Sequence, residues 1–347
     1  MPRSSQYKRG CLLAVIALAL VATLLIYFLA RKPWRREVPP PSGDELQVHV
    51  LDVGQGDSIL IVAPGGKSAL VDAGVPGSGR VVLDAMQRYG LKEINLLVAT
   101  HAHADHIGGA DEVIGATRVN TVLDSGVPNT TKNYEDFLKA IKKTGAQYVT
   151  ATPGQTFELG GGAVLSVLAP LKPFFTKEQL RSGGNEPNAN SVVTRLDYGR
   201  FSMLLTGDAE AQTEQRLIEQ GAHIKALILK VGHHGSKYAS SEEFLKRGKF
   251  EVAIVSDGEN NRYGHPSQEA LDRFKALGIK LYRTDLQGQI TIKTRGEGYE
   301  ITTERQATGD LWAGRQAQKD DSTRSDSVRL SDSEQSPRPR KERALKR

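Results

Sequence analysis

The chain has 347 residues, with 39% hydrophobic, 25% charged and 6% aromatic side chains; the length suggests two or three domains, and the balance excludes a wholly disordered chain and a polytopic membrane protein. Its single cysteine excludes a disulfide framework, a thiolate zinc cluster and an iron–sulfur site, and no disulfide-linked partner is expected. The net charge of +6 belongs to the ends: residues 1–36 carry seven Lys/Arg and no acid, residues 305–347 carry eleven Lys/Arg against seven Asp/Glu, and the 268 residues between are net −5, so no broad basic track for nucleic acid is implied.

Cys11 to Ala30 is a run of twenty residues without a charge, preceded by Lys8 and Arg9 and followed by Arg31, Lys32, Arg35 and Arg36. At about 1.5 Å per residue it just spans a hydrocarbon core of about 30 Å. It is longer than the ~7–15-residue apolar stretch of a signal peptide. Residues 1–36 therefore read as a single membrane anchor rather than a cleaved signal, with basic flanks on both sides that leave the orientation open. The Pro-rich stretch 37–45 reads as a stiff spacer. With the lone cysteine, the anchor and spacer predict a single-pass cell-membrane protein whose folded region lies outside the cytoplasm.

Residues 46–304 alternate strand-like and helical segments. Strands are expected at 46–53, 57–63, 68–74 and 95–101, with a helix over 79–90 between the last two. A second helix, 133–145, precedes a β-rich stretch at 147–170. Residues 191–208 read as a hairpin turning at Tyr198-Gly199-Arg200, followed by helix 209–221, strand 224–232 and helix 240–248. Strand and helix alternate onward to QITIK and YEITT. Helices outside sheets is the economical packing. From residue 305 apolar periodicity is lost, and the Ser-rich, mixed-charge segment 305–347 reads as a solvated, disordered tail.

Three strand ends carry chemistry. His101-Ala-His103-Ala-Asp105-His106 follows the strand NLLVAT, and imidazole nitrogen with carboxylate oxygen is a donor set for first-row metals. Four donors within six residues converge only if the backbone turns sharply there, which Ala102, Ala104, Gly108 and Gly109 permit. Asp208 ends SMLLTGD, where one carboxylate can bridge two ions; the competing role is a helix N-cap. His233 and His234 end LILKVGHH. Adjacent strand residues point opposite ways, so only one of the pair is expected to bind directly. His265, in NRYGHPS, is a further candidate.

HAHADH, LLTGD and HHGS, in this order and spacing, resemble the metallo-β-lactamase superfamily. LDVGQGD (51–57), LVDAG (70–74), NANSVVTRLDYG (188–199) and NRYGHP (261–266) resemble one branch of it, the metallo-β-lactamase-like domain of ComEC-type competence proteins. The resemblance covers roughly 46–295. It implies an α+β fold, a four-layer αββα sandwich, here preceded by one transmembrane helix. It also implies a dinuclear site, with His101 and His103 on one ion, Asp105 and His106 on the other, Asp208 bridging, and His233 or His234 completing the second site. The pattern departs in one respect: no histidine lies between His106 and His223, and Asn188, Asn190 and Ser191 occupy that stretch. The first site is then expected to be open, completed by water, an Asn oxygen or substrate, and either to bind its ion weakly or to prefer manganese over zinc. With at most one span, the chain cannot itself form a DNA channel.

Two divalent ions, zinc or manganese, at about 3.5–4 Å would activate water and stabilise both entering and leaving oxygens of an in-line displacement. This points to phosphodiester cleavage, with DNA as a possible partner. Asp105 or Asp208 would orient the water, and His234 or His265 would protonate the leaving oxygen. Asn190, Ser191, Ser236 and Lys237, with Lys230, are candidates for holding phosphate oxygens. The alternatives are a hydrolase of another ester, such as a phosphocholine-type phosphoester or a lactone, and a non-catalytic DNA- or envelope-binding module.

Overall fold

Short apolar strands separated by glycine turns assemble into two sheets. A computed structural model describes residues 43–180, 186–259 and 261–316. The anchor, most of the spacer and the tail beyond 316 lie outside the described residues. Among the described residues no helix is long and apolar enough to cross a membrane.

In chain order the strands are β1 (Leu46–Val50), β2 (Ile59–Val62), β3 (Ser68–Val71), β4 (Glu93–Ala99), β5 (Arg118–Asp124), β6 (Gln147–Thr150), β7 (Thr156–Gly160), β8 (Ala163–Ala169), β9 (Val193–Tyr198), β10 (Phe201–Leu205), β11 (Ile228–Lys230), β12 (Val252–Val255), β13 (Lys280–Arg283), β14 (Ile290–Thr294) and β15 (Glu300–Thr303). The first sheet runs β15-β14-β1-β2-β3-β4-β5-β6 and the second β13-β12-β11-β10-β9-β8-β7. The expected hairpin is β9–β10, with Tyr198 opposite Phe201.

Side-chain alternation divides each strand between two faces. Val48, Ile59, Ile61, Val71, Leu96 and Val98 of the first sheet meet Leu165, Leu196, Met203, Leu205, Ile228 and Ile254 of the second in one core. The other face of the second sheet, Leu204, Leu229, Ala253 and Leu281, packs on Leu217, Phe244, Leu271 and Phe274 from helices 211–219, 242–248 and 268–276. Helices 79–88 and 132–144 bury Val82, Ala85, Met86, Phe137 and Ile141, at the three-to-four-residue spacing of an amphipathic helix. The layers are therefore helix, sheet, sheet, helix, as expected.

Residues 310–316 are part of this body. Arg283 is buried, donates to the carbonyls of Leu311 (3.0 Å) and Ala313 (2.7 Å), and pairs with Asp285, which also takes Arg315 at 2.7 Å. Leu311 and Trp312 pack on the second core. The expectation of a solvated tail from residue 305 is corrected here: a short strap with few apolar residues is held by hydrogen bonds, which apolar periodicity does not reveal.

The strands β3–β6 are mutually parallel, as are β10–β13. Their carboxyl ends open on one edge of the sandwich, the usual place for a site in parallel sheets. The two edges touch. Val192 N–H donates to Thr100 C=O (2.8 Å), and Gly207, at φ +51°, leaves no room for a Cβ, which would lie 2.8 Å from that of Thr100.

Candidate metal centre

The site is built from strand ends on both sheets. Beyond β4, Thr100 and His101 lead into a helix at Ala104–Ile107 that carries Asp105 and His106. The loop Leu51–Ser58 packs directly beneath it: Asp57 N–H donates to Asp105 C=O (3.1 Å), and a Cβ at Gly56 would lie 2.2 Å from that carbonyl oxygen. Asp208 follows β10, and Ser191 Oγ accepts its backbone N–H at 3.2 Å.

Asp208 lies at the centre, almost fully buried. Its Oδ1 is 3.2 Å from His106 Nε2 and 3.6 Å from His234 Nε2; its Oδ2 is 3.7 Å from His101 Nε2 and 3.9 Å from His233 Nε2. His103 Nδ1 is 3.0 Å from His101 Nε2, and Asp105 Oδ2 is 3.4 Å from His234 Nε2. The donors thus form two groups that share one carboxylate.

Three of the rings are aimed by a partner on the other nitrogen, the usual way a ligating imidazole is oriented. Asp72, at φ +58° after β3, holds His106 Nδ1 at 2.7 Å and also accepts the backbone N–H and hydroxyl of Thr100. His234 Nδ1 donates to Ser256 C=O at 3.0 Å. His233 Nδ1 faces the buried Glu210 carboxylate at 3.0 Å. Deeper still, Lys230 Nζ and Asp57 Oδ2 form an ion pair at 2.7 Å, each side chain 1% exposed, and Asp57 Oδ1 is 3.5 Å from His234 Nδ1.

Charges in this small buried volume move one another's protonation. The Asp208 and Asp72 carboxylates hold His106 well above the usual histidine range against the effect of burial. The Asp208 charge, an Asp105 hydrogen bond and the Asp57 charge likewise lift His234 to about 9. Burial, reinforced by the charge of His106, depresses His101. Asp208 is held well below the carboxylate range because His106, His234 and His233 outweigh its burial.

These residues fit a pair of metal ions. His106 Nε2, His234 Nε2 and Asp208 Oδ1 are buried without a hydrogen bond of good geometry, although they converge. Donors bound tetrahedrally at about 2.0–2.1 Å sit about 3.3 Å apart, close to the spacings here. His101, His106 and Asp208 form one compact donor set, and Asp105, His106 and His234 another.

The structure brings together His101, His103, Asp105, His106, Asp208, His233, His234 and His265. With Gln55 and Tyr263, most of these line a cleft of about 300 Å³. Both adjacent histidines reach the centre, and of the two His234 belongs to a compact donor set. β11 ends at Lys230, and His233 and His234 take left-handed backbone angles, φ +45° and +52°, in a tight turn that brings both to Asp208. His234 Nδ1 is engaged by Ser256 C=O, while its Nε2 faces Asp105 and Asp208 without a hydrogen bond of good geometry, which places it as a donor to an ion rather than as the acid for a leaving oxygen. His265 is pushed down to about 3 by burial and by the charges of His233 and His234, so it is neutral at pH 7, resists taking up a proton, and is suited to donating a neutral N–H rather than to acting as the imidazolium acid expected from the sequence.

The proposed substrate contacts lie elsewhere. Asn190 is buried, with its amide bonded to Phe175 N–H and C=O and to Glu186 C=O, so it ties a loop together. Asn188 reaches the centre instead, its Nδ2 3.3 Å from His233 Nε2 and its buried Oδ1 without a hydrogen bond. Ser191 supports the backbone of Asp208, Ser236 Oγ accepts Tyr238 N–H (3.3 Å), and Lys230 is held by Asp57. Lys237 Nζ sits over the Tyr238 ring, lining a separate groove. Asp57, Asp72 and Glu210 had no assigned role in the sequence reading, and Lys230 was expected at phosphate rather than at Asp57; the one available signal was the Asp directly after a strand in LVDAG.

A two-sheet sandwich whose strand ends converge histidines and carboxylates on one shared aspartate is the framework of a metal-dependent hydrolase. Residues 51–173 match the metallo-beta-lactamase superfamily. The chain is 32% identical over 272 residues to ComE operon protein 3 of Bacillus subtilis, covering 73% of this chain and 34% of that protein. It is 29% identical over 294 residues to Competence protein ComA of Neisseria gonorrhoeae, covering 80% and 38%. It therefore spans about a third of the length of these two relatives. A UPF0173 metal-dependent hydrolase of Cupriavidus necator is 31% identical over 278 residues, 77% of this chain and 94% of that one. The chain belongs to the metallo-β-lactamase superfamily.

Proposed function

We propose that this protein hydrolyses phosphodiesters, DNA among them, with two divalent ions, zinc or manganese. The observation that carries the reading is the division of donors about Asp208: His101 and His233 face Oδ2, with His103 beside His101, while His106 and His234 face Oδ1, with Asp105 beside His234. The resemblance to two proteins of competence names supports a nucleic-acid substrate. With the anchor at residues 11–30, the hydrolase would act at the outer face of a membrane.

When bound, two ions neutralise phosphate charge and lower the pKa of water. Asp208, ionised throughout the neutral range, fixes both donor groups. Asp105, partly exposed at the cleft, orients the attacking water and takes its proton. Neutral His265, at the same cleft, hydrogen-bonds the leaving oxygen. Asp72, Glu210 and Ser256 keep three rings pointed inward, so no reorganisation is required as charge develops.

The test is cleavage of bis-p-nitrophenyl phosphate, single-stranded DNA and duplex DNA by the full-length chain supplied with zinc or manganese. Cleavage that vanishes in Asp208→Ala supports the reading. A wild-type protein that holds two ions and cleaves none of the three substrates refutes it.

A further inference from the structure

The metal cleft is small. At about 300 Å³ it stands at the lower limit of sites that enclose a small molecule, so a polymeric substrate extends past its rim. Tyr263 forms part of that rim and is 49% exposed. Its ring lies 6.0 Å from that of His265 at an interplanar angle of 23°. Arg262 sits 5.1 Å from the ring centroid and donates to the Tyr263 hydroxyl at 3.0 Å. The same pairing recurs just past the His233–Ser236 turn: Tyr238 is 50% exposed, with Lys237 Nζ 5.2 Å from its ring centroid. The other large apolar side chains exposed among the described residues, Val81, Leu138 and Tyr148, belong to helices 79–88 and 132–144 and to β6.

Tyr263 is held firmly. Asn261 Oδ1 accepts the backbone N–H of Tyr263 (3.2 Å) and of His265 (3.0 Å), while its Nδ2 donates to the carbonyls of Gly258 (3.1 Å) and His265 (2.6 Å). An exposed aromatic on a fixed backbone loses little entropy on contact. Residues 37–304 are net −5, so counterion release from a broad basic surface contributes little to binding a polyanion. Attraction must come from another term, and base–aromatic stacking is the sequence-tolerant one.

We propose that Tyr263 is a stacking platform for the planar bases of a single-stranded polynucleotide whose phosphodiester enters the cleft. This rests on the hydrolytic reading for the phosphodiester and adds the selection of bases over bare backbone. Arg262 adds a cation beside the ring.

The experiment measures binding of fluorescein-labelled dT12, and of an abasic phosphodiester of equal length, to the full-length chain with divalent ions chelated. Wild type should bind dT12 about tenfold more tightly than the abasic strand, with a shallow salt dependence. Tyr263→Ala should remove most of that preference, and Tyr263→Trp should keep it. Equal binding of the two strands, or a Tyr263→Ala loss that is the same for both, overturns the platform; a steep salt slope shared by both strands does so as well. Because cleavage is absent from this assay, base-selective binding by a protein that cleaves nothing when metal-loaded supports the platform and counts against hydrolysis alone.

Discussion

Replacing Lys230 by methionine should destabilise the fold well beyond an ordinary core substitution. Methionine keeps most of the lysine stem's volume, so little cavity forms. What it removes is the only ammonium within 2.7 Å of Asp57 Oδ2, at a place where both side chains are 1% exposed. The carboxylate left behind cannot be hydrated, because Asp57 is sealed under helix 104–107 and its other oxygen is 3.5 Å from His234 Nδ1. Breaking a buried pair from one side costs about 3–5 kcal/mol. At roughly 2–4 °C per kcal/mol for a domain of this size, the melting temperature should fall by about 6–20 °C. The double variant Asp57→Asn with Lys230→Met removes both charges together and should recover most of that loss. Thermal melts of the four proteins, metal-free and at one pH, form the double-mutant cycle. A Lys230→Met protein melting within about 2 °C of wild type, or a double variant as unstable as the sum of the singles, would show that the pair does not anchor the loop.

Asp208→Ala should abolish phosphodiester hydrolysis and lower bound metal from about two ions, whereas Asn190→Ala should keep its metal and melt lower, by about 1–3 kcal/mol of lost loop hydrogen bonding; elemental analysis beside a melt separates them, and metal loss in Asn190→Ala without destabilisation contradicts the placement. Glu210→Gln should weaken one of the two ions about 10–100-fold and spare the other, read by competition with a chromophoric chelator; equal weakening of both would be the wrong result. In the metal-free chain, His234 is raised to about 9 and His265 is lowered to about 3. The first contributes stability that is complete below about 6.5 and lost as pH rises through about 9. The second resists protonation in the fold, so stability is lost as pH falls from about 6.5 towards 3. Melts in chelator should therefore be highest near pH 6–7, and a melting temperature still rising from pH 7 to 9 would contradict the His234 environment.

Much of the fold was legible because its strands are short, apolar and punctuated by glycine, and because helices such as 268–276 bury residues at helical spacing behind a capping serine, Ser267. The strap at 310–316 was not. Its hold on the body is Arg283 and Arg315 sharing Asp285, a set of polar contacts with no periodic trace in sequence. The compact run His101–His106 was legible for the opposite reason, since its four donors are close in sequence as well as in space.

The less legible part of the site is what decides its chemistry. Histidines at 233 and 234 look like opposite faces of one strand only if the strand continues through them, and it stops at Lys230. Two consecutive left-handed residues then place both rings at Asp208, so the side lacking a histidine before the bridging aspartate gains one from after it. Such a turn is strained for residues with a Cβ, and it persists because each ring is held: His233 by Glu210, His234 by Ser256 C=O. Neither holder lies within the histidine motif. Were His233 to join His101, His103 and Asp208 on one ion, that site would have four protein donors and would hold its ion without Asn190. That is why Glu210, which acts on this centre through His233, is the more telling substitution.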